Sequence, residues 1–473
     1  MKTIAIIGGG AAGLTAAIAA AEAAREATGA QGAAPVSVTV YEASDRVGRS
    51  ILATGNGRCN FSNAVIEPAL YRNGAYVAAA LEALEAQRPS PGTALEALPA
   101  TGDCEDARLG GVCEVLPSAA AFPGGPNAVL AFFAESGLVW REEGEGRLYP
   151  LANKATSVLD CLRARLEAAG VCLACDSAVD AVEAPGERCA RFTLRLADGR
   201  FERADAVVVA VGGRVVPRLL PVGLPFVKTA PTLGPLAVKS PYPRQLDNIR
   251  VRGALELWRG TSLVARERGE VMFRKYGVSG IAAFNLSRLA QPGDELAIDF
   301  LPAVDASEAP AFLEKRARAL SAVLDHPATW DDVLRGMVLA PVAEVLLKAA
   351  LVRGESAVGA AALSVAAKAS ENEEAPSPSA SYDVAAVATV LKGLRLPVTG
   401  IGDERQCQVH RGGVAVEALD AATGQVRAVP GLFVAGEAAD VDAPCGGFNL
   451  HWAWASGLLA GRGAAAAAIG AHL

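Results

Sequence analysis

Residues 3–13 read Thr-Ile-Ala-Ile-Ile-Gly-Gly-Gly-Ala-Ala-Gly, and residues 36–42 read Val-Ser-Val-Thr-Val-Tyr-Glu. An Ala-rich stretch of helical character runs between them to about Ala27. Strand, glycine turn, helix, strand and terminal acid in this order make the frame of a dinucleotide-binding βαβ unit. Gly8 permits the tight turn, Gly10 lets backbone approach a pyrophosphate, and Gly13 lets the helix pack closely on the strand. The helix start then offers free N–H groups and partial positive charge to phosphates. Glu42 is placed to accept hydrogen bonds from a ribose diol, although it lies further from Gly13 than the usual spacing of about 20. The loop Thr28 to Pro35 absorbs the excess. A carboxylate there repels a ribose 2′-phosphate, so the motif itself leaves FAD or NAD open and disfavours NADP in this first site.

The chain has 473 residues, 51% hydrophobic and 20% charged. That composition excludes a disordered or fibrous protein, and the length allows about three domains or lobes. A formal charge of −7 and a pI near 5.4 provide no basic surplus for nucleic acid or an anionic membrane. The nine cysteines are odd in number and follow no regular framework, which suits a reducing cytoplasm. Gly8 to Gly10 would interrupt the apolar helix of a signal peptide. No uninterrupted apolar run reaches membrane-spanning length, so no span is expected.

Further along, residues 85 to 126 are rich in Pro, Gly and small residues and read as an inserted surface excursion. A helix is expected over Asn127 to Leu138 and another over Ala155 to Ala169, followed by alternating strands at Val171 to Val182 and Arg191 to Leu196. The run Phe201 to Val211, ending in Gly212-Gly213, reads as one buried parallel strand. Short alternating strands between Thr229 and Phe300 suggest a small β domain. Residues 303 to 369 are helical in pattern, and Glu371 to Pro378 reads as a solvated loop. Leu432 to Glu437 is a second buried strand, followed by Gly446-Gly447 and a helix from about Phe448 to Ala468. The nucleotide sheet is thus expected to be completed from both ends of the chain.

The block Gly48 to Asn63 (GRSILATGNGRCNFSN) resembles the signature of the BaiN/RdsA flavoproteins, also known as the aminoacetone-oxidase family of FAD-binding enzymes. Gly146 to Ala155 (GRLYPLANKA), Gly269 to Gly280 (GEVMFRKYGVSG) and Gly412 to Gly447, which contains GLFVAGEAADVDAPCGG, are similar to that family in the same order. The resemblance implies an α/β chain: a discontinuous Rossmann-like FAD domain of glutathione-reductase type over 1–227 and 401–473. It also implies an inserted β-barrel-like domain over 228–302 and 389–400, and a helical domain over 303–388. It assigns the first site to FAD, with Gly8, Gly10, Ala11, Ala12 and Gly13 at the pyrophosphate, Glu42 at the adenosine ribose and Arg49 near the phosphates. Gly57, Arg58 and Asn60 would wrap the flavin side, the main chain near Val179 would meet the adenine, and Gly212 belongs to the cofactor set.

Gly436-Glu437, at the end of a buried strand, brings an acceptor toward the ribityl chain. Gly446, Gly447, Asn449 and Leu450 start a helix whose N–H groups can face the flavin pyrimidine edge, where a reduced flavin carries negative charge. Cys172 and Cys175 have redox spacing, but side chains three apart in a strand point to opposite faces, which argues against a disulfide or a shared metal. No metal site is expected. Cys445 and Cys59 read as packing or lining residues. Ser50, His410 and His451 depart from the Lys, Thr and Gln common in the resembling family. His451 and Tyr276 are the candidates for proton delivery, each weighed against a packing role.

No second complete strand–glycine–helix unit follows, since Val209 to Arg214 lacks a matching helix, so NAD(P)H would dock transiently. The expected activity is NAD(P)H-linked reduction of a carbon–carbon double bond in a small hydrophobic, bile-acid- or enone-like substrate, through hydride transfer from flavin N5. An oxygen-using amine oxidase and a non-catalytic flavin-binding regulatory protein are the alternatives.

Overall fold

A computed structural model describes residues 1–31, 35–88, 127–187, 189–324, 326–357 and 383–470. Five strands form one parallel sheet: β1 (Lys2–Ile7), β2 (Val36–Tyr41), β3 (Cys172–Ala174), β4 (Ala206–Val209) and β5 (Leu432–Val434), in the order β5-β4-β1-β2-β3. Ile4 pairs with Ala206 and with Val38, and Val207 pairs with Leu432, so residues from both ends of the chain meet in one register. Ile6, Val207, Val208 and Leu432 are fully buried. That two-sided burial is why these strands read as apolar runs without alternation.

Two long helices cover the sheet, α1 (Ala11–Gln31) and α2 (Phe448–Ile469). Their small residues let them approach closely. A Cβ at Gly457 would lie 2.2 Å from Thr15 Oγ1, and one at Gly461 would lie 2.2 Å from Ala16 O. Both helices advance together from one contact to the next, so they run parallel. Trp454 is fully buried on α2, donates to Phe61 O at 2.8 Å and meets Phe133 edge-on at 5.1 Å. Such aromatic pairs add about 1 kcal/mol beyond burial; this one ties α2 to the helix Ala128–Glu135, and the hydrogen bond to Phe61 ties it to the segment that follows Asn60.

Three expectations need correction. α1 continues to Gln31 where a loop was expected from Thr28, because the Thr28 hydroxyl satisfies itself on Ala24 O at 2.7 Å within the helix. The run Phe201 to Val211 is two strands, Phe201–Ala204 in an antiparallel meander with Val179–Glu183 and Phe192–Leu196, and then β4. Asp205 separates them, its carboxylate accepting from Thr3 N at 2.9 Å and facing Lys2 and Arg191. The strand after Leu432 ends at Val434, since Gly436 turns with φ +65° into a 3-10 turn over Gly436–Ala438. Most of the 85 to 126 excursion and the loop Glu371 to Pro378 lie outside the described residues.

The chain divides into two compact units, Met1–Pro231 with Val409–Leu473, and Thr232–Gln408. The second holds a closed six-stranded barrel whose strands include Arg250–Arg259, Ser262–Arg274, Glu295–Asp299 and Leu394–Ile401. Helices Ala309–Ser321, Ala340–Ala357 and Val384–Lys392 share its apolar core, with Leu255, Phe273, Ile298, Leu346 and Leu391 among the buried residues. Among the described residues no helix is long and apolar enough to cross a membrane.

Candidate cofactor site

The carboxyl ends of β1, β4 and β5 lead into Gly8, Gly212-Gly213 and Gly436-Glu437, the edge at which open parallel sheets bind ligands. Gly8 has φ +106°, and a Cβ there would stand 2.5 Å from Ala210 O. A Cβ on Gly13 would stand 1.8 Å from Gly8 O. Gly10 differs: an added Cβ would meet only Ser50 Oγ, at 3.2 Å. Two glycines are therefore packed against protein, and the third leaves the turn open where a ligand would approach. Ala11 and Ala12 begin α1, whose first-turn N–H groups have no intrahelical acceptor. Gly436 lies over that turn, since a Cβ on it would be 3.0 Å from Ala12 Cβ.

Glu42 closes the turn from the β2 side. Its Oε2 accepts from Gly9 N at 2.7 Å and its Oε1 from Ser44 N at 2.8 Å. The Glu42 carbonyl accepts from Ser177 N at 2.8 Å, which draws the start of Val179–Glu183 to the same edge. Gly48 N donates to Gly9 O at 2.8 Å, so Arg49 begins its short helix beside the glycine turn. Arg49 is exposed and 3.6 Å from Asp45. Arg58 is differently engaged: its guanidinium bonds Glu143, donates to Asn153 Oδ1 at 2.5 Å and lies over the Tyr149 ring. Only its main chain, with Gly57 at φ +81°, remains to line a ligand.

The second helix start is built differently. Gly446 and Gly447 have φ +139° and +94°, and a Cβ on Gly447 would lie 2.2 Å from Ser62 O and 2.9 Å from Asn60 Oδ1. Asn60 Oδ1 is buried with no hydrogen-bond partner, an acceptor held at the mouth of α2. Asn449 shapes the preceding loop, accepting from Ala443 N at 2.9 Å and donating to Ala443 O at 2.8 Å. Leu450 is half-buried against the core. Across the sheet edge, Glu437 Oε2 accepts from Gly213 N at 3.0 Å, next to Gly212 at φ +65°. Desolvation pushes the Glu437 carboxyl up to about 7, against the lowering effect of N–H donors from Gly213 and His410.

The two proton candidates belong to different units. His451 is 2% exposed, its Nδ1 lies 2.9 Å from Ser62 Oγ, and burial drives its pKa down to about 3. It is a neutral, hydrogen-bonded core imidazole near neutral pH, the packing role against which proton delivery is weighed. Tyr276 belongs to the barrel unit, its ring against Gly402, and burial raises its pKa. The sequence reading missed the Ser62–His451 pair and the Arg72–Asp440 pair at 2.8 Å, where Asp440 also accepts from Gly412 N at 3.0 Å. Their signal was the polar run around Ser62 and the acids after Ala439. Both are contacts made across hundreds of residues, which no local pattern encodes.

The sequence of residues 120–463 matches the model of the HI0933-like protein Rossmann domain. The chain belongs to that family. The chain is 28% identical to the 3-dehydro-bile acid delta(4,6)-reductase of Clostridium scindens, over 98% of this chain and 99% of that one. It is 26% identical to the ribosomal RNA dihydrouridine synthase of Escherichia coli, over 95% of each. Among solved structures it is similar to the 3-ketosteroid-delta4-(5alpha)-dehydrogenase of Rhodococcus jostii RHA1, at 15% identity and a TM-score of 0.40, covering 98% of this chain and 97% of that one. The chain is an FAD-dependent oxidoreductase.

The residues fit that cofactor. Gly457, deep in α2, lies against Ala12 at the start of α1, so the two parallel helices begin on the order of 12 Å apart along the axis. Two positive helix ends at that offset suit an extended dinucleotide, its pyrophosphate at Gly10 to Gly13 and its ring edge at Gly446-Gly447. The partnerless Asn60 acceptor and the open side of Gly10 face the two ends that a ligand would fill.

Proposed function

We propose that the protein catalyses NAD(P)H-linked reduction of a carbon–carbon double bond conjugated to a carbonyl, in a small hydrophobic substrate. FAD, when bound, supplies two-electron hydride chemistry. The observation that carries the reading is the start of α2, where Gly446-Gly447 present helix N–H groups beside the Asn60 acceptor. A positive helix end favours an electron-rich ring edge, so it raises the tendency to accept electrons from a reductant. Asn60 accepts a hydrogen bond from a ring N–H. Glu437 accepts from hydroxyl groups of the chain between ring and phosphates, and Glu42, released from Gly9 N, from the ribose diol. The two curated relatives bear names that share one chemistry, hydrogenation of a ring double bond. The charge of −7 favours the small-molecule substrate over ribosomal RNA.

The test is an anaerobic absorbance titration of the purified yellow protein with NADH and with NADPH, followed by an enone or by air. The reading requires that a nicotinamide bleaches the flavin and that an enone restores the colour faster than air does. Bleaching by an amine and not by a nicotinamide would replace it with an oxidase.

A further inference from the structure

Reduction of a double bond consumes a proton as well as a hydride, and His451 is too buried to carry one near neutral pH. A second imidazole stands at the ligand edge of the parallel sheet. His410 lies on the strand Val409–Val414, and its ring covers Gly213: a Cβ on that glycine would be 2.4 Å from His410 Cγ and 2.5 Å from Nδ1. His410 Nδ1 is 3.9 Å from Glu437 Oε2, the oxygen that accepts from Gly213 N. Solvent reaches 40% of the His410 side chain and 25% of Glu437. Two turns, after β4 and after β5, converge here with the strand Val409–Val414, and they place a titratable pair beside the residues proposed to hold the cofactor.

The charged residues on the surrounding elements are few. Arg411 follows in the same strand and lies 3.6 Å from Asp442, and Asp440 is bound by Arg72. Lys228 is carried by Phe226–Thr232, which pairs with this strand, and Arg214 by the turn Gly212–Arg214. Asp440 and Asp442 each face an arginine, and Glu437 is an acid within 4 Å of the His410 ring. A carboxyl that titrates near 7 beside an imidazole keeps a proton available across the neutral range.

We infer that His410 is the proton donor of the reduction and that Glu437 is its positioning residue, an inference that rests on the reductase reading. An imidazolium N–H bond of His410 breaks, and the proton joins the double-bond carbon that does not receive the hydride. The π electron pair of the substrate forms that new C–H bond, and the hydride forms the other. The substrate gains two electrons from the nicotinamide, and His410 recovers its proton from solvent at its exposed edge.

The test uses the FAD-loaded protein in two arms. The chain has four histidines, at 326, 410, 451 and 472, so imidazole NMR titration is assigned by His410→Gln. In the parent, Glu437→Gln is expected to lower the His410 midpoint by about half a pH unit or more. In the second arm, enzyme bleached anaerobically with NADPH is mixed with 2-cyclohexen-1-one. His410→Gln is expected to slow return of the yellow colour about 100-fold and to abolish its fall at alkaline pH. His410→Thr, the residue common in the family, repeats the test should the glutamine variant lose flavin. An equal rate and pH profile in parent and variant overturns the donor role, and an unmoved midpoint overturns the role of Glu437. A parent that the enone does not reoxidise overturns the reductase reading and this proposal together.

Discussion

The protein opens two long parallel helices with glycine turns, and the two turns are made in opposite ways. At the start of α1 the glycines are needed mainly for packing: Gly8 presses on Ala210 O and Gly13 on Gly8 O, while only Gly10 faces open space. At the start of α2 both glycines sit at positive φ, and the turn presses on Ser62 O and the Asn60 acceptor. The first turn is an anion seat inside a rigid strand–helix corner. The second is a shaped loop, held by Asn449 and by the aromatic anchor of Trp454 on Phe61. A phosphate seat needs backbone N–H groups, which any residue with the right turn supplies. A ring edge needs particular acceptors and a particular outline, which only distant segments can supply.

The sharpest way to break the contrast is Gly13→Ala. The new methyl would stand 1.8 Å from a backbone carbonyl between two buried elements, with no flexible side chain to yield. We expect a loss of about 4 kcal/mol, at the upper end for a single substitution. It would be read as a lower urea midpoint at unchanged slope, with flavin absent from the purified protein. A variant that unfolds within 1 M urea of the parent midpoint but binds flavin normally would show that the corner can relax.

Glu437→Gln comes next and concerns pH. The carboxyl titrates near 7 in the folded chain and near 4.5 otherwise, so the folded state holds more protons between those values. Stability from this group is complete below 4.5 and is lost as pH rises toward 7, by about 3 kcal/mol. His451 has the opposite slope, because its pKa falls from 6.5 to about 3: its contribution is present above 6.5 and lost as pH falls. The flavin-free parent minus the glutamine variant isolates the first effect. Urea midpoints whose difference stays constant from pH 4.5 to 7 would remove the desolvated carboxyl from the account.

How much of this was legible follows from the same contrast. The α1 corner was plain in the sequence because its parts are neighbours: strand, glycines, helix and acid within one βαβ unit. That β1, β4 and β5 share one sheet was also legible, since each is an apolar run followed by glycine. Arg58 was not, because Glu143, Asn153 and Tyr149 claim its guanidinium from a hairpin about ninety residues away. Nor was the neutrality of His451, which depends on complete burial beside Ser62. Asp205 misled for a local reason: a single acid inside an apolar run ends one sheet and begins another when backbone and cations meet it on both sides.

Gly447→Ala should have a smaller effect than Gly13→Ala. The added methyl meets Ser62 O at 2.2 Å with φ at +94°, against 1.8 Å at Gly13, and Ser62–Asn63 is a two-residue edge strand. We expect a loss of about 2 kcal/mol. The flavin should remain bound with a shifted absorbance maximum, because the ring edge and not the phosphate seat has moved. An unaltered spectrum together with unaltered stability would place the ring elsewhere.

Gly10→Ala has the smallest expected effect on the protein and the most informative effect on its ligand. Its φ is not in the left-handed region, and the new methyl would meet only Ser50 Oγ at 3.2 Å, the end of a side chain that can rotate. The flavin-free variant should therefore match the parent in urea to within about 0.5 kcal/mol. A methyl on the open side of the turn would nevertheless keep a pyrophosphate from the α1 N–H groups. Loss of one charge-assisted hydrogen bond, worth about 2 kcal/mol, would weaken FAD binding about 30-fold. Fluorescence quenching of free FAD by the two flavin-free proteins measures that ratio. Equal affinities with equal stability would mean that Gly10 is not where the phosphates lie, and the division of labour between the two turns would have to be drawn again from α2.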